Sequence, residues 1–413
     1  MTEGSKLQRF SHRASLVRPL FHPWVVLLAA CASAPEPPPP PPAVVIPPAT
    51  QPQVVQPVTR STVAPAPPFR TELVFLGTTD VHNWIYGYDY YTRSEVGYGL
   101  ARLKPVIDSV RRANPDRTYL FDSGDLLQGN PLGMVYARQL ANQPNPVVKA
   151  MNLLGYTAAA IGNHEYNYGI PHLERAIAQA KFPFLSGNTF RHGTTQHAFA
   201  PYVLIPHVPA TGDTILIGVT GNTPPGVHVW DKANVEGRLQ FRDVVASLKP
   251  VVAEMKSRGA DVVVVLSHGG FSGTSYDTIA TGLPAENAGA RLAQEVPAID
   301  VVFLGHTHQQ VRDTTINGVL FTQAGQWAQA LAQARLVLEH QGPNQWRVVE
   351  KRAQLLRPDS LRADTVFLDS MRWEHERTVE YVKSVVGRAS ARMSAAEART
   401  KDTPIADCRS SPA

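Results

Sequence analysis

Cysteine is nearly missing from this 413-residue chain: there are two, Cys31 and Cys408, at opposite ends. That scarcity excludes a disulfide framework and a thiolate metal site, so any bound ion must be held by His, Asp and Asn. Dense runs of Lys or Arg are missing from the globular part, although 39 Lys+Arg against 34 Asp+Glu leave a net charge of +5. No nucleic-acid-binding surface is expected from that distribution, which suits a small anionic substrate instead. Internal repeats are absent as well. What remains is a chain 43% hydrophobic and 18% charged, long enough for one large domain or two smaller ones.

The N-terminus carries an address. Residues 1–19 are basic and polar, with Lys6, Arg9, Arg13 and Arg18, and residues 24–30 form an apolar run that ends in Leu28-Ala29-Ala30-Cys31. A run this short cannot span a bilayer as a stable helix and reads as the hydrophobic core of a signal peptide. Leu-Ala-Ala-Cys resembles the bacterial lipobox, in which the cysteine is lipidated and becomes the mature N-terminus; an ordinary cleaved signal is the alternative. The expectation is a signal peptide over 1–31, lipidation at Cys31, and a periplasmic or cell-surface protein held to the membrane by that anchor. Residues 32–69 are dominated by proline, with six in a row from 37 to 42. Such a stretch favours polyproline II and builds no core, so it is expected to be a disordered tether.

From Arg70 the pattern changes. Short apolar runs recur at 72–77, 118–121, 158–161, 182–185, 214–219, 261–266, 301–304 and 319–321. Nearly continuous apolar strands are buried on both faces. Between them lie helical stripes: Leu100, Leu103, Val106, Ile107 and Val110, then Val147, Val148, Met151 and Leu154, stopped by Gly155. The alternation predicts an α/β domain over 70–360. Residues 364–386 read as one helix within a linker region over 361–400, and 401–413 as a polar, disordered tail.

Chemistry-bearing residues gather where these strands end. Asp80 and His82 follow the first run, Gly124-Asp125 the second, and Gly162-Asn163-His164-Glu165 the third. Ser267-His268 follows the run at 261–266, and Gly305-His306-Thr307-His308 the run at 301–304. Loops at the C-terminal ends of such strands are where open α/β sheets collect ligands. Oxygen and imidazole donors without thiolate suit Mn, Zn, Fe, Co or Ni. Two such ions a few ångströms apart can clamp a phosphoester's oxygens and activate water. Glycines beside Asp125, Asn163 and His306 let the backbone turn sharply and approach closely. Taken singly, each residue has a plainer reading. Asp80 could cap a turn and Asn163 could sit in one. His306 and His308 could alternate along a strand, and His172 and His207 read as structural histidines. Five such elements on successive strand ends argue together for one site.

These blocks, Asp-x-His, Gly-Asp, Gly-Asn-His-Glu, His and Gly-His-x-His, resemble the calcineurin-like metallophosphoesterase superfamily over residues 72–325. The resemblance implies a β-sandwich flanked by helices, with four layers α/β/β/α, and a metal-dependent phosphoric ester hydrolase. It implies two divalent ions, one held by Asp80, His82, Asp125 and His308, the other by Asp125, Asn163, His268 and His306. Asp125 would bridge them, and His164 would face the scissile phosphate with Asn163 beside it. The segments 78–83, 124–133, 162–169 and 230–234 resemble the secreted nucleotidase branch, in particular the enzymes acting on 2′,3′-cyclic nucleotides and 3′-nucleotides. Asn167 supports that assignment, because 5′-nucleotidases usually carry Asp there; a 5′-nucleotidase or nucleotide-sugar hydrolase is the alternative. The branch also carries a C-terminal nucleotide-binding domain. Here Asp402-Thr403-Pro404 resembles the junction into it, and the closing residues 406–413 do not continue the pattern. The sequence therefore reads as truncated, with weak or no turnover as a further alternative.

Overall fold

The computed structural model describes residues 69–209, 213–358 and 362–385. The signal peptide, Cys31, the linker up to residue 68 and the tail over 401–413 lie outside the described residues. Among the described residues, no helix is long and apolar enough to cross a membrane.

Twelve strands form two six-stranded sheets. In chain order they are β1 (Arg70–Thr78), β2 (Thr118–Asp122), β3 (Ala158–Ala160), β4 (Phe184–Leu185), β5 (Tyr202–His207), β6 (Ile215–Asn222), β7 (Val262–Ser267), β8 (Val301–Leu304), β9 (Gln310–Ile316), β10 (Val319–Ala324), β11 (Leu331–Gly342) and β12 (Gln345–Leu356). One sheet runs β12-β11-β1-β2-β3-β4 and the other β9-β10-β8-β7-β6-β5. β1 to β4 are parallel neighbours, as are β6, β7, β8 and β10 in the second sheet.

Side chains alternate across each strand, and the alternation builds the layers. Leu73 and Phe75 point between the sheets, where they meet Phe121, Ile217, Val264 and Phe303. Val74 and Leu76 point the other way, beneath the Leu103 and Ile107 stripe of α1 (Leu100–Ala113). In the second sheet Val263 and Val265 pack outward against Leu248 and Val252 of α3 (Val244–Ser257). The order is helix, sheet, sheet, helix, the four-layer α/β/β/α arrangement expected. α2 (Pro146–Leu154) starts where the Asn145 side chain accepts from the Val148 N–H and stops at Gly155, whose φ of 66° closes the helix in a left-handed cap.

Four strands were not anticipated: β5, β9, β11 and β12. β9, β11 and β12 break their apolar residues with polar ones, as in Ala332-Gln333-Ala334-Arg335, and so lack the continuous apolar signature; β5 carries a short run, Val203-Leu204-Ile205, that was not among those expected. The run expected over 182–185 shortens to Phe184–Leu185, because Pro183 has no N–H for a ladder. The single helix expected over 364–386 is two, α4 (Thr365–Ser370) and α5 (Arg372–Lys383). The break falls at Met371, which is buried with Phe367 against the main core.

Candidate metal centre

Both sheets send the C-terminal ends of their parallel strands to one rim, and the loops there fold inward. Five residues on them, Asp80, His82, Asp125, His306 and His308, have φ between 49° and 66°. This left-handed region is costly for residues with a Cβ, and at functional sites it persists where the surroundings enforce it. Here backbone bonds do so: Asp80 N–H donates to Gly124 O at 2.9 Å, His82 N–H to Asp125 O at 2.9 Å, and Trp327 N–H to Asp80 O at 2.8 Å. His306 N–H donates to the Asp80 carboxylate at 3.0 Å. His306 and His308 thus sit in a turned loop before β9, and the strand alternation considered for them does not occur.

The side chains converge. Asp80, His82 and His308 bring one donor atom each within 4.8 Å of one another, and so do Asp125, His268 and His306. Asp125 with His82 and His164 forms a third such group, which joins the other two. The Asp125 Oδ2 atom lies 3.0 Å from His268 Nε2, 3.9 Å from His82 Nε2 and 4.0 Å from His164 Nε2. Asn163 Oδ1 lies 3.1 Å from His268 Nε2. His308 Nε2 lies 3.3 Å from Asp80 Oδ1 and 3.2 Å from His82 Nε2. All seven residues expected as ligands, and His164, therefore meet at one place. Asn167 is just behind, its Oδ1 2.5 Å from His164 Nδ1.

Hydrogen bonds decide which ring nitrogens face the centre. His82 Nδ1 lies 2.6 Å from Gln128 O, and His268 Nδ1 2.7 Å from Ser123 O. A carbonyl oxygen only accepts, so both Nδ1 atoms carry hydrogen and Nε2 faces inward. Burial pushes the His82 imidazole below its ordinary range, which leaves a lone pair on the Nε2 that faces His308. Burial would lower His268 too, but the Asp125 carboxylate outweighs it and pushes that imidazole up to about 10. Despite its own burial, Asp125 is held well below the usual carboxylate range by His268, His164 and His82. Two acidic side chains, an amide oxygen and inward-turned imidazoles form a donor set that fits a divalent cation.

The loops are braced from within. Glu165, fully buried, accepts four backbone N–H groups: Asp125 at 2.9 Å, Leu126 at 2.5 Å, Leu127 at 3.1 Å and Gly162 at 2.6 Å. It ties the Asp125 loop to the Asn163 loop. Gly162 allows the approach, since a Cβ there would lie 2.3 Å from Asp125 Oδ1. Gly124 has φ of 98°, and a Cβ on it would lie 2.8 Å from His268 Nδ1. Sequence reasoning gave Glu165 no role, although its motif position was the signal. Glu286, whose Oε1 lies 3.8 Å from His306 Nε2, had no local signal at all. His172 and His207 lie elsewhere, buried against Tyr168 and Tyr119 respectively, as structural histidines.

A sequence model described as calcineurin-like phosphoesterase matches residues 73–310. The 2′,3′-cyclic-nucleotide 2′-phosphodiesterase/3′-nucleotidase of Haemophilus influenzae is 35% identical over 362 residues, which cover 81% of this chain and 54% of that protein. The 5′-nucleotidase of Homo sapiens is 30% identical over 247 residues, 57% of this chain and 38% of that one. The crystal structure of the calcineurin-like phosphoesterase YfkN from Bacillus subtilis superposes with a TM-score of 0.70 at 30% identity, covering 76% of this chain and 100% of that one. The chain spans about half the length (54%) of the first curated relative it matches.

Proposed function

This chain belongs to the calcineurin-like phosphoesterase family, and we propose that it hydrolyses nucleotide phosphoesters, 2′,3′-cyclic nucleotides and 3′-nucleotides, outside the cytoplasm with two divalent ions. One observation carries the chemistry: Asp125 Oδ2 lies within 4.0 Å of three imidazole Nε2 atoms that arrive from both sheets. Asp80, His82 and His308 would hold one ion, Asn163, His268 and His306 the other, and Asp125 would serve both. Bound there, the ions would supply charge neutralisation for the ester's oxygens and a nucleophilic water at neutral pH.

The chain's own groups then have distinct tasks. Asp125 Oδ1 accepts from the His164 N–H at 2.7 Å, which locks the position of His164 to the bridging carboxylate. His164 presents Nε2 to the reaction space and would hold a proton there for the leaving oxygen or stabilise its developing charge. It is more exposed than His268, as a group that meets substrate must be. Glu165 keeps two loops in register, so that ligands from β2 and β3 stay within reach of each other.

The preference for cyclic and 3′-nucleotides is supported by the 35% identity to the Haemophilus influenzae protein and by Asn167. The location outside the cytoplasm is supported by the N-terminal segment ending in Cys31. Turnover of 2′,3′-cyclic AMP, 3′-AMP and 5′-AMP by the Mn-loaded protein tests the substrate reading. Faster hydrolysis of the first two is expected, and a clear preference for 5′-AMP would reject it. Mass spectrometry of the mature N-terminus tests the anchor: a lipidated Cys31 is expected, and an unmodified chain starting elsewhere would refute it.

A further inference from the structure

His164 takes its orientation from two residues that touch no candidate ligand side chain. Asn167 Oδ1 lies 2.5 Å from His164 Nδ1, and Asn167 Nδ2 donates to Asp231 Oδ2 at 2.8 Å. An amide is nearly symmetric in shape and asymmetric in chemistry: one end accepts and the other donates. A carboxylate accepts only, so Asp231 takes the N–H end of Asn167 and leaves its carbonyl end for His164. That carbonyl accepts only, so His164 Nδ1 carries hydrogen and Nε2 is the nitrogen that faces Asp125.

We infer that Asp231 is a positioning residue: by fixing the Asn167 amide as an acceptor it keeps hydrogen on His164 Nδ1, so that Nε2, which faces the phosphoester, is the nitrogen that takes up and gives the proton. The inference rests on, and deepens, the hydrolase reading above. Asp231 is nearly buried, at 8% exposure. Its Oδ1 accepts from Asn234 Nδ2 at 3.2 Å, and the same Nδ2 donates to Tyr166 O at 2.9 Å. The carboxylate is therefore tied to the backbone of the loop that carries Asn167. A purely structural role is poorly served, because Asp231 starts the short helix Lys232–Val235 with no side-chain cap hydrogen bond. Among the described residues it forms no salt bridge. Among the described residues the hydrogen bonds of its carboxylate go to two amides, Asn167 and Asn234, one of which governs His164.

The expected consequences separate this role from simple packing. Asp231→Asn replaces a fixed acceptor by a group that can donate, so the Asn167 amide is free to turn round. Loss of such outer hydrogen bonds costs roughly 10–100-fold. A fall of that size is expected in kcat on 2′,3′-cyclic AMP, with KM nearly unchanged. On bis(p-nitrophenyl) phosphate, whose leaving group needs little protonation, the fall should be several times smaller. Asn167→Asp alone sets two carboxylates within hydrogen-bond distance and is expected to be impaired. Combined with Asp231→Asn, the acceptor–donor alternation returns, and activity should recover to within about 10-fold of the parent.

A merely structural role predicts equal losses on both esters and no recovery in the double variant, and that outcome overturns the inference. An unchanged kcat for Asp231→Asn overturns it too. Histidine 15N correlation spectra, assigned with His164→Gln, give a reading free of turnover. The parent should show one His164 tautomer, protonated at Nδ1, and Asp231→Asn a mixture; a tautomer unaffected by the substitution defeats the inference. A parent protein inert on every phosphoester would defeat the hydrolase proposal while the spectra still decide the role of Asp231.

Discussion

The two halves of the centre use the same donors but depend on the fold differently. His268 is sealed, with a side chain fully removed from solvent. It starts on the second sheet, and its Nδ1 is bonded to Ser123 O on a loop of the first, so it also struts the sandwich. His308, in the other half, has a side chain 40% exposed and reaches Asp80 from a turned loop. The lesson is that a ligand can be a structural element or an appendage, and only variants tested without metal tell the two apart. Bound ions stabilise the folded state by mass action and would mask the difference.

The largest effect should come from the residue common to both halves. Asp125→Asn removes a charge that three histidines surround. We expect phosphoester turnover to fall by more than roughly 1000-fold, beyond the 10–100-fold typical of outer-shell changes. Metal analysis of the purified variant should show both ions depleted. Retention of one full equivalent would mean that Asp125 serves one half alone.

The next pair tests the contrast directly. In chelator-treated protein, His268→Ala leaves the Asp125 carboxylate buried without its closest partner and Ser123 O without a donor. The expected cost is about 3 kcal/mol in urea unfolding. His308→Ala removes a half-exposed ring and should cost no more than about 0.5 kcal/mol. With metal present, His308→Ala should still lose ion from the Asp80 half, lowering turnover by roughly 10–100-fold. Equal destabilisation by the two substitutions would abolish the distinction between strut and appendage.

These differences explain what could be read from the chain beforehand. The run Val262-Val263-Val264-Val265-Leu266 announces a strand buried on both faces, so His268 could be placed at its end by counting. The same logic located Asp80, Asp125, Asn163 and His306. The hairpin of β11 and β12 escaped, because a strand with Gln333 and Arg335 among its residues has no continuous apolar signature; Gln333 is nonetheless buried. The turned backbone at His306 and His308 also escaped. It depends on the Asp80 carboxylate, 226 positions earlier in the chain, accepting the His306 N–H. Asp231 meets Asn167 across 64 positions, and a contact at that separation leaves no periodicity to find. Glu165 stood in a recognisable motif, but its task of receiving four N–H groups exists only once two loops are folded together.

A histidine remote from the centre gives the smallest effect and separates acid loss of fold from acid loss of metal. Burial, followed by the charges of Arg175 and Arg138, pushes the His172 imidazole down to about 4. The folded state thus binds its proton less readily than the unfolded chain, whose imidazole titrates near 6.5. Stability from this group is therefore present at neutral pH and lost as pH falls from about 6.5 towards about 4. In chelator-treated protein the loss expected from this group between pH 7 and pH 5 is about 1 kcal/mol, and His172→Gln should reduce the slope by that amount. His268, pushed up to about 10, stays protonated in the folded state across this window while its unfolded imidazole gains a proton near pH 6.5, so it opposes part of the loss. If His172→Gln keeps the full slope, the acid sensitivity lies in the other imidazoles that burial pushes below their ordinary range, His82 in the centre and His197, His207, His228 and His375 outside it.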